Sequence, residues 1–288
     1  MTPLARRDAL RLLAAGAAAP FAVRAAFADN PAVAPAPEGD AAYGGFRMSV
    51  ATYSLHKFPF DRALTEIKGF GLRYTEVNPK HIDIDGKPET IAAARQLLEA
   101  AGIRALAFGV FYTERYKDDR VKAIRDAFAI ATALGMRTIS CDPEPEWLGA
   151  MEEAAAKSGV RLGIHNHGPK ARYDRLEPLL KTLEGRHANV GATVDVGHYI
   201  RSGEEPAAVI RALGKRVHGV HLKDVAKEGD NWKAVNIGKG VLDVKATLAA
   251  LRDVGYDGAL SLEYEVALDD PFAGIRECLA AVKAAAAR

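Results

Sequence analysis

Cysteine is nearly absent from the chain: Cys141 and Cys278 are the only two, far apart among 288 residues. That excludes a disulfide scaffold and a closed structural zinc site built on thiolates. One bridge would be open to the pair in an oxidising compartment. The local sequence instead makes each a small apolar residue, Cys141 on a strand and Cys278 on the last helix. Charge of one sign is also missing. Lys and Arg number 39 against 37 Asp and Glu, and neither sign gathers into a run. No nucleic-acid partner is expected from that balance. No glycine-rich phosphate loop follows the first apolar run, which argues against a dinucleotide-binding open sheet. Long apolar runs are lacking as well. The N-terminal stretch Ala14–Val23 is short and broken by Gly16 and Pro20, so no stable membrane anchor is expected.

What that N-terminus does contain is a basic region, a weakly apolar core and a small-residue end, Ala26-Phe-Ala28. Adjacent Arg6 and Arg7 before Leu10 resemble a twin-arginine export signal, although Ala9 stands where that signal usually has Phe. Residues 1–28 are therefore expected to be a signal peptide cut after Ala28, with the periplasm as destination. The cut removes Arg6, Arg7, Arg11 and Arg24 against Asp8 and leaves a nearly neutral chain. Residues 29–45, rich in Ala, Pro and Gly, read as a flexible linker.

From residue 46 to 288 the pattern alternates without pause, as one domain. Strand-like runs are Met48–Tyr53, Tyr74–Val77, Arg104–Val110, Arg137–Cys141, Val160–His165, Gly191–Asp195, Val217–Leu222 and Ala259–Glu263. Between them lie amphipathic segments with apolar residues three and four apart, many ending at Gly. Continuous apolar strands alternating with helices predict parallel βα units. Eight such units favour a closed (β/α)₈ barrel over an open sheet. A barrel turns every strand's C-terminal end to one face, so residues scattered in sequence converge there.

Those ends are rich in ionisable groups: His56, Glu76, Tyr112, Asp142 with Glu144, His165 with His167, Asp195 with His198, His221 with Lys223 and Asp224, then Glu263 with Glu265. A charged group at the end of a buried strand must be paired, hydrogen-bonded or metal-bound. Capping explains His56 or His81 taken alone. It does not explain Asp195, His221 and Glu263 together. Two carboxylates and an imidazole from successive strands form a mixed oxygen and nitrogen site suited to Mn, Mg, Co or Zn. His56, Glu76, His167 and Lys223 make up the candidate substrate-facing set, with capping an equal account of Lys223 and Asp224. His218, three residues before His221, reads as structural. The turn Gly238-Lys-Gly240 offers backbone N–H groups to an anion, a weak signal. Trp147 belongs to a helix face, and Trp232 could stack on a sugar ring.

The segments LGIHNHG (162–168), TVDVGH (193–198), VHGVHLKDV (217–225) and NIGKGVL (236–242) resemble the sugar phosphate isomerase/epimerase family, the xylose-isomerase-like TIM barrels. The resemblance runs from about Phe46 to the C-terminus. It implies one divalent metal at the C-terminal face, held by Glu, Asp, His and Glu after strands five to eight. The last three carry over as Asp195, His221 and Glu263. The first falls on His165 instead of Glu, so His165 is the expected fourth ligand, with His167 and Glu144 as alternatives. The resemblance also implies that His198 contacts substrate, and that Glu263 and the strand-five group, His165, move protons.

The implied chemistry is removal of a proton next to a carbonyl, giving an enediolate. Return of the proton makes a keto-sugar isomerase or epimerase, the first expectation. Loss of a β-substituent makes a lyase, hydratase or dehydratase, for example on a 3-keto-glycoside. His165 in place of Glu, together with export, makes that a serious alternative. A non-catalytic sugar-binding barrel would not need the metal constellation, and an abasic-site endonuclease on the same fold would need a basic surface. The expected partner is a small carbohydrate; a homo-oligomer is compatible with the sequence but not specified by it.

Overall fold

The computed structural model describes residues 36–117 and 119–287. The export segment, residues 1–28, lies outside the described residues, as do residues 29–35 of the linker. Eight parallel strands close into a barrel: β1 (Arg47–Ala51), β2 (Tyr74–Val77), β3 (Arg104–Phe111), β4 (Thr138–Cys141), β5 (Arg161–His165), β6 (Val190–Asp195), β7 (Val217–Leu222) and β10 (Ala259–Leu262). The first strand pairs with the last, Arg47 beside Ala259 and Val50 beside Leu262, which leaves no free sheet edge. The expected (β/α)₈ fold is the one observed.

Helices α1 (Phe60–Gly69), α2 (Pro88–Ala101), α3 (Arg120–Ala133), α4 (Pro145–Ser158), α5 (Leu176–Leu183), α6 (Val196–Arg201), α7 (Pro206–Leu213), α8 (Val244–Asp253) and α9 (Phe272–Ala286) surround it. Pro88, Pro145 and Pro206 open three of them, where a missing N–H costs nothing. Gly102 closes α2 with φ of 67°, a left-handed turn that a Cβ would strain. Leu64, Ile67, Ile130, Leu148, Leu248 and Val282 are fully buried between helices and barrel. Burying each such side chain contributes roughly 1.5–3 kcal/mol. No helix among the described residues is long and apolar enough to cross a membrane.

The barrel interior below the site is polar and narrow. Ser49 and Ser261 share a hydrogen bond of 3.0 Å, and so do Ser140 and Thr193. A Cβ at Gly163 or Gly219 would lie 2.2 or 2.6 Å from the Thr193 hydroxyl, so glycine is what lets Thr193 sit between β5 and β7.

Three local features differ from the sequence reading. Residues 36–45 are not all loose. Asp40 pairs with Phe46, Tyr43 is buried in a short 3₁₀ turn (Ala41–Tyr43), and the Tyr74 hydroxyl donates to the Glu38 carbonyl at 2.6 Å. Two aromatic rings and the barrel floor give this Pro- and Gly-rich stretch something to pack on, which composition does not reveal. Asp224 does not end a strand but begins a hairpin, β8 (Asp224–Glu228) with β9 (Asn231–Val235), which carries Trp232. The glycine turn, read from sequence as a weak anion site, spends its N–H groups internally. Its N–H groups at Gly238, Gly240 and Leu242 all donate to the Asp224 carboxylate, at 2.9–3.0 Å. The chain supplies its own anion there, so Asp224 caps this loop.

Candidate metal centre and substrate pocket

His165, Asp195, His221 and Glu263 end neighbouring strands β5, β6, β7 and β10, and all four are buried. One donor atom from each lies within 4.8 Å of every other. His165 Nε2 and His221 Nδ1 face each other at 3.1 Å, Glu263 Oε2 is 3.4 Å from His221 Nδ1, and Asp195 Oδ2 is 3.8 Å from His165 Nε2. Two buried atoms here, Asp195 Oδ2 and His165 Nδ1, have no hydrogen-bond partner among the described residues. A buried carboxylate oxygen needs positive charge beside it, and Asp195 Oδ2 has only the Lys223 ammonium at 3.3 Å, which is shared with Glu263 and Glu265. The donor set therefore fits a divalent ion, and mixed carboxylate and imidazole donors suit Mn, Co or Zn as well as Mg.

The supports are local. Asn166 holds the Asp195 backbone from both sides, accepting from its N–H at 2.8 Å and donating to its carbonyl at 3.0 Å. Asp195 Oδ1 caps α6 by accepting from the His198 N–H at 2.9 Å, which leaves Oδ2 for the cluster. Beneath the cluster, Glu76 accepts from His221 Nε2 at 3.0 Å and from the Ser261 hydroxyl at 2.7 Å. That bond turns His221 Nδ1 toward the other three residues.

Lys223 bridges the carboxylates. Its ammonium lies 2.8 Å from Glu263, 2.8 Å from Glu265 and 3.3 Å from Asp195 Oδ2. Burial pulls the Lys223 ammonium down, but Asp195, Glu263 and Glu265 outweigh it and hold it well above its usual range. Glu263 is pushed up by burial, yet Lys223 and His221 keep it ionised, well below the ordinary carboxylate range. Burial holds His165 well below its ordinary value, with His221 and His167 adding to the effect, so it is neutral. His221 is the opposite case: burial lowers it, and Glu76 and Glu263 more than compensate, holding it well above.

A pocket of about 150 Å³ opens above the cluster, with Tyr53, Tyr112, His167, His198, Lys223 and Glu265 among its walls. A larger groove of about 530 Å³ runs along α4 and α5 and touches none of the cluster. In the pocket, His167 is held at both nitrogens: Nδ1 lies 3.1 Å from Asp142 Oδ2, and Nε2 lies 3.0 Å from the Tyr112 hydroxyl. If His167 Nδ1 donates to the Asp142 carboxylate, Nε2 is left to accept from the Tyr112 hydroxyl. Burial raises the Tyr112 phenol far above its usual value, with Glu263 adding to it. His198 is brought down to about 4, first by burial.

The structure thus sorts the sequence candidates. His165, Asp195, His221 and Glu263 come together. His167, the alternative ligand, spends its nitrogens on Asp142 and Tyr112. Glu144, the other, is paired with Arg120 at 3.0 Å and turned away. Of the candidate substrate-facing residues, His198, His167 and Lys223 line the pocket. Glu76 does not, because it is sealed behind His221, and His56 does not, because its Nδ1 bonds the Tyr53 carbonyl at 2.6 Å and its ring stacks behind Tyr53. His218 bonds the Leu162 carbonyl within the barrel wall, a structural part. Tyr112, Asp142 and Glu265 stood at strand ends in the sequence without a role. The signal that could have found them is their shared strand-end position; partners on three different strands hid it. Cys141 and Cys278 are free and buried.

The chain belongs to the xylose isomerase-like TIM barrel family, whose model matches residues 64–285. It is 27% identical over 160 residues to the uncharacterised protein YfiH of Bacillus subtilis, covering 48% of this chain and about half, 51%, of that protein. It is 23% identical over 251 residues to an inosose dehydratase of Clostridium perfringens, covering 72% of this chain and 82% of that one. Among solved structures, a D-tagatose 3-epimerase-like protein superposes with a TM-score of 0.65 at 20% identity, over 84% of this chain and 100% of that one, a likeness of fold.

Proposed function

We propose that this chain is a divalent-metal-dependent lyase of the dehydratase type. It would remove the proton next to the carbonyl of a keto sugar, or a related keto polyol or 3-keto-glycoside, and expel the neighbouring hydroxyl or alkoxide. The observation that carries the reading is the Asp142–His167–Tyr112 chain on one wall of the pocket, while Glu263 is held by Lys223. His165, Asp195, His221 and Glu263 would hold the ion, which when bound supplies a Lewis acid for the substrate carbonyl. Tyr112 faces the substrate. As its oxygen takes the α-proton, its own proton passes to His167 Nε2, and Asp142 stabilises the resulting imidazolium. The same path in reverse hands the proton to the departing oxygen. One C–H and one C–O bond break, a C=C bond forms, and water or an alcohol leaves.

Glu263 and His165, the proton handlers expected from the sequence, suit ligation better. Glu263 is kept anionic by Lys223, and His165 turns Nε2 toward the cluster. Likeness to the inosose dehydratase supports elimination. Isomerisation or epimerisation is the second reading, favoured by Glu265. This pocket carboxylate, 2.8 Å from Lys223, offers a base on another wall. The proposed place of work is the periplasm, supported by Arg6-Arg7 and the Ala26-Phe-Ala28 end.

NMR in deuterated water separates the two. Metal-loaded protein with keto sugars, an inosose and 3-keto-glycosides should release water or aglycone and give an unsaturated or deoxy-dicarbonyl product. Recovered sugar carrying deuterium and inverted at one carbon, without elimination, assigns the second reading. No turnover of any of these sinks both.

A further inference from the structure

Two cations at the pocket mouth have no ion-pair partner among the described residues. Lys80, after β2, and Arg115, after β3, both line the pocket, and both are exposed. The Lys80 ammonium lies 5.5 Å from the centre of the Tyr53 ring, and the Arg115 guanidinium 4.5 Å from that of Tyr112. Contact with rings that are themselves pocket walls places both cations at the rim. Neither has a carboxylate within ion-pair distance among the described residues. The nearby acids are committed. Glu263, Glu265 and Asp195 all meet Lys223, Asp142 meets His167, and Glu144 meets Arg120. Lys80 and Arg115 therefore stand at the rim with no carboxylate of the site in direct contact.

We propose that the natural substrate carries an anionic group, a carboxylate or a phosphate, at the end remote from the reacting carbonyl, and that Lys80 and Arg115 bind it. This deepens the reading of the pocket as a substrate site. A neutral sugar would leave both cations facing water. An anionic one gains two charge-assisted hydrogen bonds, and Arg115 is suited to a planar carboxylate or a phosphate edge.

The test is a titration of D-glucose, D-glucuronate and D-glucose 6-phosphate followed by protein NMR shifts, in chelator-treated and in Mn-loaded protein. We expect at least one anionic sugar to bind about tenfold or more tighter than glucose, the worth of one charge-assisted bond. Glucuronate ahead of the phosphate identifies a carboxylate substrate, and the reverse order a phosphate. A Lys80→Met/Arg115→Met variant should lose the preference, and Lys80→Arg/Arg115→Lys should keep it. Equal affinities, no binding of any probe, or a preference that survives the methionine pair overturns the proposal. The chelator-treated arm reads the rim alone, so failure of the metal assignment shows separately, as absent Mn binding.

Discussion

Glu76 makes the sharpest test of how the cluster is held. It is sealed below His221, with only 3% of its side chain exposed against 1% for the imidazole. Replacing Glu76 with Gln keeps the shape. The amide carbonyl accepts from His221 Nε2 as the carboxylate did at 3.0 Å, and the amide nitrogen donates to Ser261, whose hydrogen turns to Ser49 at 3.0 Å. What is lost is charge. A hydrogen bond to an ionised group contributes about 1.5–3 kcal/mol and a neutral one about 0.5–1.5, so His221 loses about 1–2 kcal/mol of support. That converts to roughly five- to thirtyfold weaker metal binding. Calorimetric titration of Mn and Zn into chelator-stripped wild-type and Glu76→Gln protein measures it, with circular dichroism confirming the fold. Equal dissociation constants in the two proteins would refute the idea that Glu76 aims His221.

Two further outcomes follow from other parts of the structure. Tyr112→Phe removes only the hydroxyl at the head of the relay, so kcat should fall about a hundredfold or more while metal affinity stays at the wild-type value; a kcat within a few-fold of wild type removes Tyr112 from the chemistry. At the barrel floor, burial raises the Asp257 carboxyl, but hydrogen bonds from Arg161 and Arg137, both 2.6 Å away, outweigh it and hold it at about 2. A carboxyl lowered on folding stabilises above its unfolded value of 3.8, and that stability fades as pH falls toward 2. Because the side chain is 39% exposed, the contribution is about 1 kcal/mol after screening. Denaturant melts should therefore show Asp257→Asn less stable than wild type at pH 6 and the two converging near pH 2; a gap independent of pH contradicts this account.

The barrel was legible because buried parallel strands must be apolar throughout, and the chain alternates such runs with amphipathic ones. The cluster was legible for a related reason. Asp195, His221 and Glu263 each end an apolar run, and a closed barrel leaves their side chains one common place. Depth along the barrel was not legible. Glu76 and His221 both belong to strand C-termini, yet one lies behind the other, a matter of stagger and side-chain direction that no spacing encodes. Partnerships across three strands were hidden too. Asp142, His167 and Tyr112 are 25 and 55 residues apart along the chain by their links to His167, and only the closed sheet makes them neighbours. The hairpin from Asp224 stayed hidden because its carboxylate, an ordinary strand-end acid in sequence, turns back to tie the glycine turn.

The pairing of β1 with β10 also settles where the described chain enters. Arg47 hydrogen-bonds the Pro37 carbonyl, and Tyr74, the first residue of β2, bonds Glu38, so residues 37–38 lie at the strand-start end, opposite the pocket. A surface tether, affinity handle or fused domain joined ahead of Ala36 would start from that floor. Immobilised by this end, the protein would present its pocket outward, and substrate could reach it without passing the support.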